Sequence, residues 1–363
     1  MKQLVFTVTN DLTYDQRMIR ICSSLAANGY DVLLVGRQMP GSVPLTNRAF
    51  RQHRLSMFFS KGKLFYVEYN IRLFFFLLFT RMDLVCAIDL DSILPCLFVS
   101  KLRGKKRVYD AHELFCEMKE IVSRPFIYRV WKAIERFTVP KFTHGYTVNE
   151  PIAEEFRKMY GSKYSVVRNI PPLRDQVIIE KKEKFILYQG AVNEGRSFET
   201  LIPAMKWVDL PLVIVGDGNF LEQAKELVKR HGLVEKVLFK GKMKPEELNN
   251  FTGQAYIGIT LFENKGLSNY YSLANRFFDY IHAGVPQLCV DYPVYRNINA
   301  TSPVALLVDD LSPENIAAKL NNLVNNSVLY AELRDNCLIR RKELNWQQEE
   351  QVLIRFYKAL FEI

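Results

Sequence analysis

Residues 272–286 have the sequence SLANRFFDYIHAGVP, the pattern of a loop that leads into a helix ending at a glycine. Ser272 is a favourable N-cap residue, and Asn275 and Arg276 supply hydrogen-bond donors in the first turn. The free backbone N–H groups and the positive dipole end of a helix favour anions. This helix terminus is therefore predicted to bind phosphate, and Gly284 is predicted to end the helix.

A carboxylate follows one turn after the predicted phosphate contacts. Asp279 is placed to accept hydrogen bonds from hydroxyl groups attached to that phosphate. A phosphate-binding terminus followed by a hydroxyl acceptor suits a nucleotide sugar. Leu273, in the loop before the helix, is included in this predicted donor site.

Strand-like and helix-like patterns alternate along the chain, which predicts an α/β fold with parallel sheets and crossover helices. The 363 residues exceed the size at which one hydrophobic core stops growing, so two domains are expected. The Pro171-Pro172 pair is the best linker in the sequence. We predict two Rossmann-like domains, at residues 1–168 and 169–345, that face each other across an interdomain cleft.

Residues 346–363 predict an amphipathic helix. Two arrangements are open for this segment. The helix crosses back to the first domain, or it packs only on the second.

The stretch at 272–286 resembles the donor-binding segment of GT-B glycosyltransferases of family 4, the group 1 transferases. The usual form of that segment is close to S-x-P-x-K-x-x-E-Y-x-x-x-G-x-P. The positions that fit it are Ser272, Asn275, Arg276, Tyr280, Gly284 and Pro286. Ala274 stands where proline is common, and Asp279 stands where the family has glutamate. The shorter carboxylate is expected to contact the ribose or the sugar hydroxyls.

The first half carries a second resemblance to the same family. TNDLTYDQRMIRICSSLAANGYDVLLVGR is similar to its opening strand, helix and strand, and KRVYDAHELF resembles a strand whose end faces the interdomain cleft. The resemblance implies that His112 contacts the donor sugar and its phosphate region. The position of His112 between Asp110 and Glu113, at the carboxyl end of a strand, independently makes it a functional candidate, and a structural histidine that caps the next helix is the alternative.

The entry to the second domain, LYQGAVNEGRSFETLI, resembles a strand, loop and helix of the family that carries two cations. Gly190 and Arg196 match that pattern, whereas the first basic position is Ala191. The resemblance implies that Arg196 and Arg276 neutralise the leaving diphosphate. Gly216, in a Gly-Asp-Gly turn after the next strand, is a further donor-site candidate.

Asp89-Leu90-Asp91 has the spacing of a metal-binding carboxylate pair. We do not interpret it as one, because the phosphate-binding residues belong to the other half and Asp91 with Ser92 forms an ordinary helix N-cap. The histidines have no metal-ligand spacing. We expect no metal and no cofactor besides the nucleotide-sugar substrate.

Positive charge is concentrated in the first half of the chain. Residues 1–168 contain 26 Lys and Arg against 15 Asp and Glu, a net charge of +11. The whole protein has a net charge of +10, so all of the excess lies in the first half. Nucleic acid is not an expected partner, because no binding motif is present and the aromatic residues lie in apolar runs. An anionic membrane surface or an anionic acceptor fits this charge, and a merely solvated surface is the alternative.

The acceptor is expected to bind the first domain, with Asn10, Asp11, Lys61 and Lys63 as candidate contacts. The apolar run within residues 48–81 is too short to span a bilayer. Core packing is favoured for residues 71–79, with an amphipathic element lying on the membrane as the alternative, and residues 57–63 are the better candidate for membrane contact. The cysteine spacing and the lack of a signal-like N-terminus favour a cytoplasmic protein. The positive charge of the first half and the loop at residues 57–63 motivate the hypothesis that the protein works at the inner face of the cytoplasmic membrane.

The sequence thus predicts a glycosyltransferase that moves a sugar from a nucleotide sugar to a glycan or lipid-linked acceptor. The resemblance implies a metal-independent reaction with retained anomeric configuration, of the hexosyl- or N-acetylhexosaminyl-transferase class, serving polysaccharide biosynthesis. The predicted catalytic residues are His112, Asp279 and Arg196. A sugar-nucleotide epimerase on the same fold, or a catalytically weak scaffold member of a polysaccharide assembly system, are the alternatives.

Overall fold

The computed structural model describes residues 1–13, 15–174 and 184–361. The chain divides into two compact units. Unit 1 comprises Met1–Asn169 with Glu349–Ile363, and unit 2 comprises Ile170–Gln348. The divisions therefore fall at 169/170 and 348/349, beside the predicted boundaries at 168/169 and 345/346.

Unit 1 contains a seven-stranded sheet in which every neighbouring pair of strands is parallel. The strand order is β3-β2-β1-β4-β5-β6-β7. The strands are β1 Gln3–Thr7, β2 Asp31–Arg37, β3 Arg51–Leu55, β4 Leu84–Ile88, β5 Lys106–Ala111, β6 Gly145–Thr147 and β7 Ser165–Val166. The helices that connect them are α1 Gln16–Ala27, α2 Gly62–Phe79, α3 Ile93–Leu102, α4 Lys119–Val122, α5 Pro125–Thr138 and α6 Glu150–Tyr160.

Unit 2 contains a six-stranded parallel sheet in the order β10-β9-β8-β11-β12-β13. Its strands are β8 Ile186–Gln189, β9 Leu212–Val215, β10 Val237–Gly241, β11 Ile257–Thr260, β12 Gln287–Val290 and β13 Ala305–Val308. Its helices are α7 Phe198–Ala204, α8 Leu221–Arg230, α9 Pro245–Gln254, α10 Leu267–Tyr270, α11 Asn275–Ala283, α12 Pro293–Asn299, α13 Pro313–Asn325 and α14 Ser327–Arg340. A last helix, α15 Trp346–Phe361, runs from unit 2 into unit 1.

Inner strands such as β4, β8, β9 and β11 are buried on both faces because helices cover both sides of each sheet. The predicted α/β fold with two Rossmann-like domains is confirmed. In each sheet the order of the strands reverses next to the first strand of the unit, between β1 and β4 and between β8 and β11. Open parallel sheets bind ligands at the carboxyl ends of the strands at such a reversal.

Helix α2 corrects one sequence-based prediction. Core packing was predicted for residues 71–79, and it is correct for Leu73 and Leu77, which are buried. It is wrong for Ile71, Phe75 and Phe79, whose exposed fractions are 53%, 55% and 82%. The helix has apolar residues around its circumference, and the sheet can cover only one side of it.

The described residues contain no helix that combines the length and the apolar character needed to cross a bilayer.

Helix α15 contributes its aromatic residues to the core of unit 1, which confirms the predicted return of the terminal helix to the first domain. The fully buried ring of Tyr357 lies 6.0 Å from Phe6 and 6.3 Å from both Tyr30 and Tyr146, centroid to centroid. The hydroxyl groups of Tyr357 and Tyr146 are 3.3 Å apart. Packing only on the second domain is therefore excluded for this helix.

Removal of the Tyr357 ring is expected to destabilise unit 1. Tyr357→Ala should lower its free energy of unfolding by about 3–5 kcal/mol because a buried aromatic side chain is lost. Tyr357→Phe retains the ring and should cost about 1 kcal/mol. Native-state hydrogen exchange measures the effect, with faster exchange expected in β1 but not in β8.

The matched control is Lys358→Ala, because Lys358 is the exposed neighbour on the same helix. This variant should leave the exchange of β1 unchanged. Equal effects of Tyr357→Ala and Lys358→Ala would show that α15 does not stabilise unit 1 through this ring.

Candidate functional site

Two arginines of unit 2 share one aromatic ring just beyond the end of β11. The centroid of the Phe262 ring lies 4.6 Å from the guanidinium carbon of Arg276 and 4.7 Å from that of Arg196. Both sites were predicted from the sequence to bind diphosphate, and the structure brings them together. A face-on aromatic ring stabilises a cation without neutralising its charge, so the positive charge stays available to a ligand.

Arg276 is held by contacts that leave its charge uncompensated. Its side chain is buried, 4.6 Å over the ring of Tyr188, and it donates hydrogen bonds to the Tyr188 hydroxyl at 3.3 Å and to the Leu261 carbonyl at 3.4 Å. Within the described part of the chain it makes no ion pair with a carboxylate, and its Nε has no hydrogen-bond partner. A buried cation without a counter-charge is costly, and an anionic ligand would offset that cost.

Arg196 precedes α7, and its side chain is half-buried. Its Nη1 lies 3.4 Å from the side-chain oxygen of Asn269, in α10. The loop that carries Arg196 follows β8, and the loop that carries Phe262 follows β11. The reversal of strand order in unit 2 therefore brings the two arginines to the same sheet edge.

Gly190 and Gly216 allow the ends of β8 and β9 to approach closely. Gly190 has φ +124° and Gly216 has φ +148°, values that side-chain-bearing residues rarely adopt. A Cβ on Gly216 would lie 1.8 Å from the Gly190 carbonyl oxygen, and a Cβ on Gly190 would lie 3.4 Å from Nη1 of Arg276. Gly216 thus shapes the backbone at this edge, whereas Gly190 lies directly beside the guanidinium.

The helix after the loop begins later than the sequence indicates. Helix α11 starts at Asn275, and its N-cap residue is Ala274, whose amide donates to the Tyr295 hydroxyl at 3.0 Å. The prediction of Ser272 as N-cap is wrong, because its hydroxyl donates instead to the Asn269 carbonyl at 2.8 Å. The predicted end of the helix at Gly284 is confirmed by its left-handed conformation.

The first turn of α11 nevertheless carries the predicted donors, Asn275 and Arg276. Leu273, in the loop, packs partly against the core of unit 2. Donor contacts by Ser272, Leu273 and Asn275 stay predictions.

The carboxylate of Asp279 is oriented by a hydrogen-bond chain. Gln189, buried at the end of β8, donates to Oδ2 of Asp279 at 2.9 Å, and its own oxygen accepts from the Thr252 hydroxyl at 2.7 Å. The Gln189 amide is thereby fixed with its NH₂ group toward Asp279. This neutral donor orients the carboxylate and preserves its charge for further hydrogen bonds.

In unit 1, His112 lies between two carboxylates at the ends of β4 and β5. Its Nδ1 is 3.5 Å from Oδ2 of Asp89, and its Nε2 is 3.2 Å from Oδ2 of Asp110. The His112 backbone amide donates to Oδ1 of Asp89 at 2.9 Å. The His112 side chain is 24% exposed, although its Nε2 atom is buried.

The carboxylates keep His112 charged at neutral pH. Burial disfavours the charged ring, but Asp110 and Asp89 outweigh this effect and raise the pKa of His112 to about 9. Asp110 is itself fully buried and is anchored by Arg17, whose Nη2 lies 2.8 Å from its Oδ1. Arg17 and His112 overcome the burial of Asp110 and hold the pKa of that carboxyl below its ordinary value.

Asp89 has an unusual backbone conformation for a residue with a side chain. Its φ of 54° and ψ of 178° fall in a region that is nearly confined to glycine and costs about 1–3 kcal/mol. Burial is the largest cause that raises the pKa of Asp89 to about 7, opposed by His112 and assisted by the charges of Glu113 and Asp91. Such strain persists where surrounding contacts fix it, and it is common at functional sites.

The four candidate acceptor residues lie near the same edge of the unit 1 sheet, after β1 and β3. The Asp11 carboxylate is used within the protein, since it accepts from Arg54 at 2.7 Å and from the Thr13 amide at 2.9 Å. Asn10 is exposed, and so are Lys61 and Lys63 at the start of α2. Acceptor contacts by these residues stay predictions.

Several residues of the site were not singled out from the sequence, namely Arg17, Tyr188, Gln189 and Phe262. Asp89 was considered only as part of a metal-binding pair. Position could have indicated Asp89, Gln189 and Phe262, because each of them ends or follows a strand beside a reversal in strand order. The described residues contain no group of three or more His, Cys, Asp or Glu arranged to hold a metal ion.

Two family models match the chain, one in each half. "Glycosyltransferase Family 4" matches residues 16–174, and "Glycosyl transferases group 1" matches residues 169–341. A search of curated protein sequences finds no match.

Solved structures share the fold over the whole chain at low sequence identity. Sucrose-phosphate synthase from Thermosynechococcus elongatus superimposes with a TM-score of 0.81, at 17% identity, with 100% of both chains covered. HepE from Anabaena, solved with UDP and glucose, gives 0.77 at 11% identity, covering 99% of this chain and 100% of its own. WaaG, a glycosyltransferase involved in lipopolysaccharide biosynthesis, gives 0.73 at 16% identity, covering 96% and 98%. With both halves matched by its models, the chain belongs to the GT-B glycosyltransferases of the group 1, family 4 type.

Proposed function

We propose that this glycosyltransferase transfers a sugar from a nucleoside-diphosphate sugar to a glycan or lipid-linked acceptor, with retained anomeric configuration and without a metal ion. The observation that carries the proposal is the pair of guanidinium groups on Phe262, one of them buried without a carboxylate partner in the described residues. Two cations at the carboxyl edge of a parallel sheet are suited to a diphosphate.

The departing diphosphate gains negative charge when the bond to the sugar breaks. Arg276 and Arg196 are suited to stabilise that charge, and a positioned donor of this kind contributes about 3–4 kcal/mol to catalysis. The rigid aromatic contacts of Arg276 support this role, because a preorganised cation needs little rearrangement during the reaction. These two cations would perform the task that a metal ion performs in other folds.

Asp279 is a further proposed donor contact in unit 2, and His112 is the proposed catalytic residue of unit 1. Asp279, oriented by Gln189, accepts hydrogen bonds from ribose or sugar hydroxyls. His112, held as an imidazolium by its carboxylate neighbours, donates to the sugar or its phosphate region. The acceptor oxygen bonds to the anomeric carbon, the bond to the phosphate oxygen breaks, and that phosphate oxygen takes the acceptor proton.

Incubation of the protein with a panel of UDP, GDP, ADP and CDP sugars tests the proposal, with UDP-glucose first because HepE has been solved with that compound. Release of free nucleoside diphosphate is the expected result, and it should not change when EDTA is added. A new nucleotide sugar would indicate an epimerase instead. Binding without turnover would indicate a scaffold protein, and neither binding nor turnover would refute the proposed donor site.

Loss of the buried cation should impair transfer strongly. Arg276→Gln is expected to lower kcat by about 100- to 1000-fold, because one charge-stabilising donor is removed. Arg230→Ala removes an exposed cation elsewhere in unit 2 and should leave kcat unchanged. Steady-state kinetics with the best donor of the panel, together with the thermal midpoint of each variant, separate loss of catalysis from loss of folding.

The dependence of activity on pH should follow the charge of His112. The pKa of His112 is raised to about 9, so the ring is a cation below that pH and becomes neutral above it. We expect kcat/KM to fall as the pH rises through about 9. Asp89→Asn removes one stabilising charge but keeps an oxygen for the His112 amide, so the fall should occur at lower pH.

Glu120→Gln removes an exposed carboxylate from the same unit and should leave the pH profile unchanged. NMR titration of the His112 ring gives the pKa directly in each variant. A pKa that does not fall in Asp89→Asn would contradict the assignment of Asp89 as a positioning residue for His112.

A further inference from the structure

The exposed side of helix α2 is apolar along its whole length. The residues on this side, at spacings of three and four, are Leu64, Val67, Ile71, Phe75 and Phe79, with exposed fractions from 53% to 82%. The opposite side packs on the protein through Phe65, Tyr69, Leu73 and Leu77. Surface helices of water-soluble proteins normally carry polar residues on the outer side, so this exposed side requires an explanation.

Neighbouring elements extend the exposed side of α2 into a broader surface. Helices α2, α3 and α5 make crossovers in the same direction along the sheet, and right-handed crossovers place all three on one side of it. The rings of Tyr66 and Trp131 pack 5.4 Å apart between α2 and α5, and those of Phe98 and Phe137 pack 6.3 Å apart between α3 and α5. We call the outer surface of these three helices the apolar face of unit 1.

The apolar face also includes an exposed row on α5 and the loop before α2. The α5 row consists of Phe126, Val130 and Phe137, each more than two-fifths exposed. In the loop, Phe58 is 86% exposed, and Glu68 of α2 holds it by accepting from the amide of Phe58. More than half of the large apolar side chains exposed in the described residues belong to α2, α3, α5 and the loop before α2.

Cations surround the apolar face. The exposed cations on α5, in its flanking residues and at the start of α2 are Lys61, Lys63, Arg124, Arg129, Arg136 and Lys141. None of the six forms an ion pair with a carboxylate in the part of the chain that is described. Two of them lie over rings of the face, Lys63 at 5.2 Å from Phe126 and Lys141 at 3.9 Å from Phe137. Aromatic residues beside lysine and arginine suit the interface between lipid headgroups and acyl chains.

We propose that the apolar face of unit 1 docks on an anionic lipid bilayer, with α2 and α5 lying in the plane of the membrane interface. The charge of the unit favours this occupant over a second copy of the chain. Residues 1–168 carry 26 Lys and Arg against 15 Asp and Glu, so a dimer through this face would bring two strongly positive surfaces together. Negative headgroups would instead neutralise the cations while the apolar side chains leave water.

The proposed membrane contact lies mainly on a helix for which the sequence favoured core packing, with contact to the membrane as the alternative. Residues 57–63 were the predicted membrane contact, and in the structure they form only the border of a larger surface whose main element is α2. The inference concerns a surface of unit 1 alone and does not depend on the proposed donor site.

Flotation of the full-length protein tests the proposal. One set of vesicles contains phosphatidylcholine alone, and the other also contains about 30% phosphatidylglycerol as the anionic lipid. The wild type is expected to float with the anionic vesicles and to be released by high salt. Ile71→Glu combined with Phe75→Glu should reduce binding by roughly tenfold or more, because two side chains that enter the interface become charged. Both residues are exposed, so the thermal midpoint should not change.

Matched substitutions on unit 2 provide the control. Val234 and Val328 are 55% and 77% exposed, and changing both to Glu introduces the same charge on the other unit without an expected effect on binding. Arg129→Glu with Arg136→Glu should weaken binding by roughly tenfold or more and reduce its dependence on salt. Release of nucleoside diphosphate from a soluble donor should be the same in all these variants.

Three results would overturn the proposal. The first is a wild type that fails to float with anionic vesicles. The second is an equal effect on flotation of the Glu substitutions at Ile71 and Phe75 and of those at Val234 and Val328. In the third, light scattering without lipid shows a dimer that Ile71→Glu with Phe75→Glu dissociates, which would make the face a contact between copies. Failure of the donor proposal would appear separately, as a lack of nucleotide release with flotation intact.

Discussion

The cation pair on Phe262 depends on a constraint of parallel sheets. The chain passes from β8 to β9 and β10 on one side of the sheet, and from β11 to β12 and β13 on the other. The loops that follow β8 and β11 therefore diverge and leave room at the sheet edge. Arg196 enters from the first loop and Phe262 from the second. Unit 1 repeats the constraint at β1 and β4, where Asp89 follows β4 and orients His112.

Patterns along the chain were sufficient to predict the layout of the fold. Alternating strand and helix patterns predict the two parallel sheets, and Gly284 marks the end of α11. The start of α11 was not predictable from the N-cap preferences of its residues. The Ser272 hydroxyl donates to the Asn269 carbonyl, and the Tyr295 hydroxyl accepts a hydrogen bond from the Ala274 amide. Those partners come from α10 and α12, and pairing of this kind depends on tertiary structure.

In unit 2, the sequence predicted the two arginines and the glycines beside them, but not the residues that orient these groups. Arg276 was identified as a donor in the first turn of a predicted phosphate-binding helix, and Arg196 was identified through the resemblance to the family. The residues that orient the site carry no such signal, since Gln189 and Phe262 are ordinary residues for a strand end until the fold places them beside a charged group. Helix α2 shows the same limit, because an apolar run does not indicate which of its sides the sheet will cover.

The two units differ in whether a carboxylate compensates the positive charge of the candidate functional residue. In unit 1, Asp89 and Asp110 already compensate the imidazolium of His112, so the ring carries little uncompensated charge. In unit 2, Tyr188 and Phe262 hold Arg276 by their ring faces, which leave its charge intact. Attraction for an anion therefore resides in unit 2. Since a diphosphate gains charge as it departs, the uncompensated cation responds to the reaction more strongly than the compensated one.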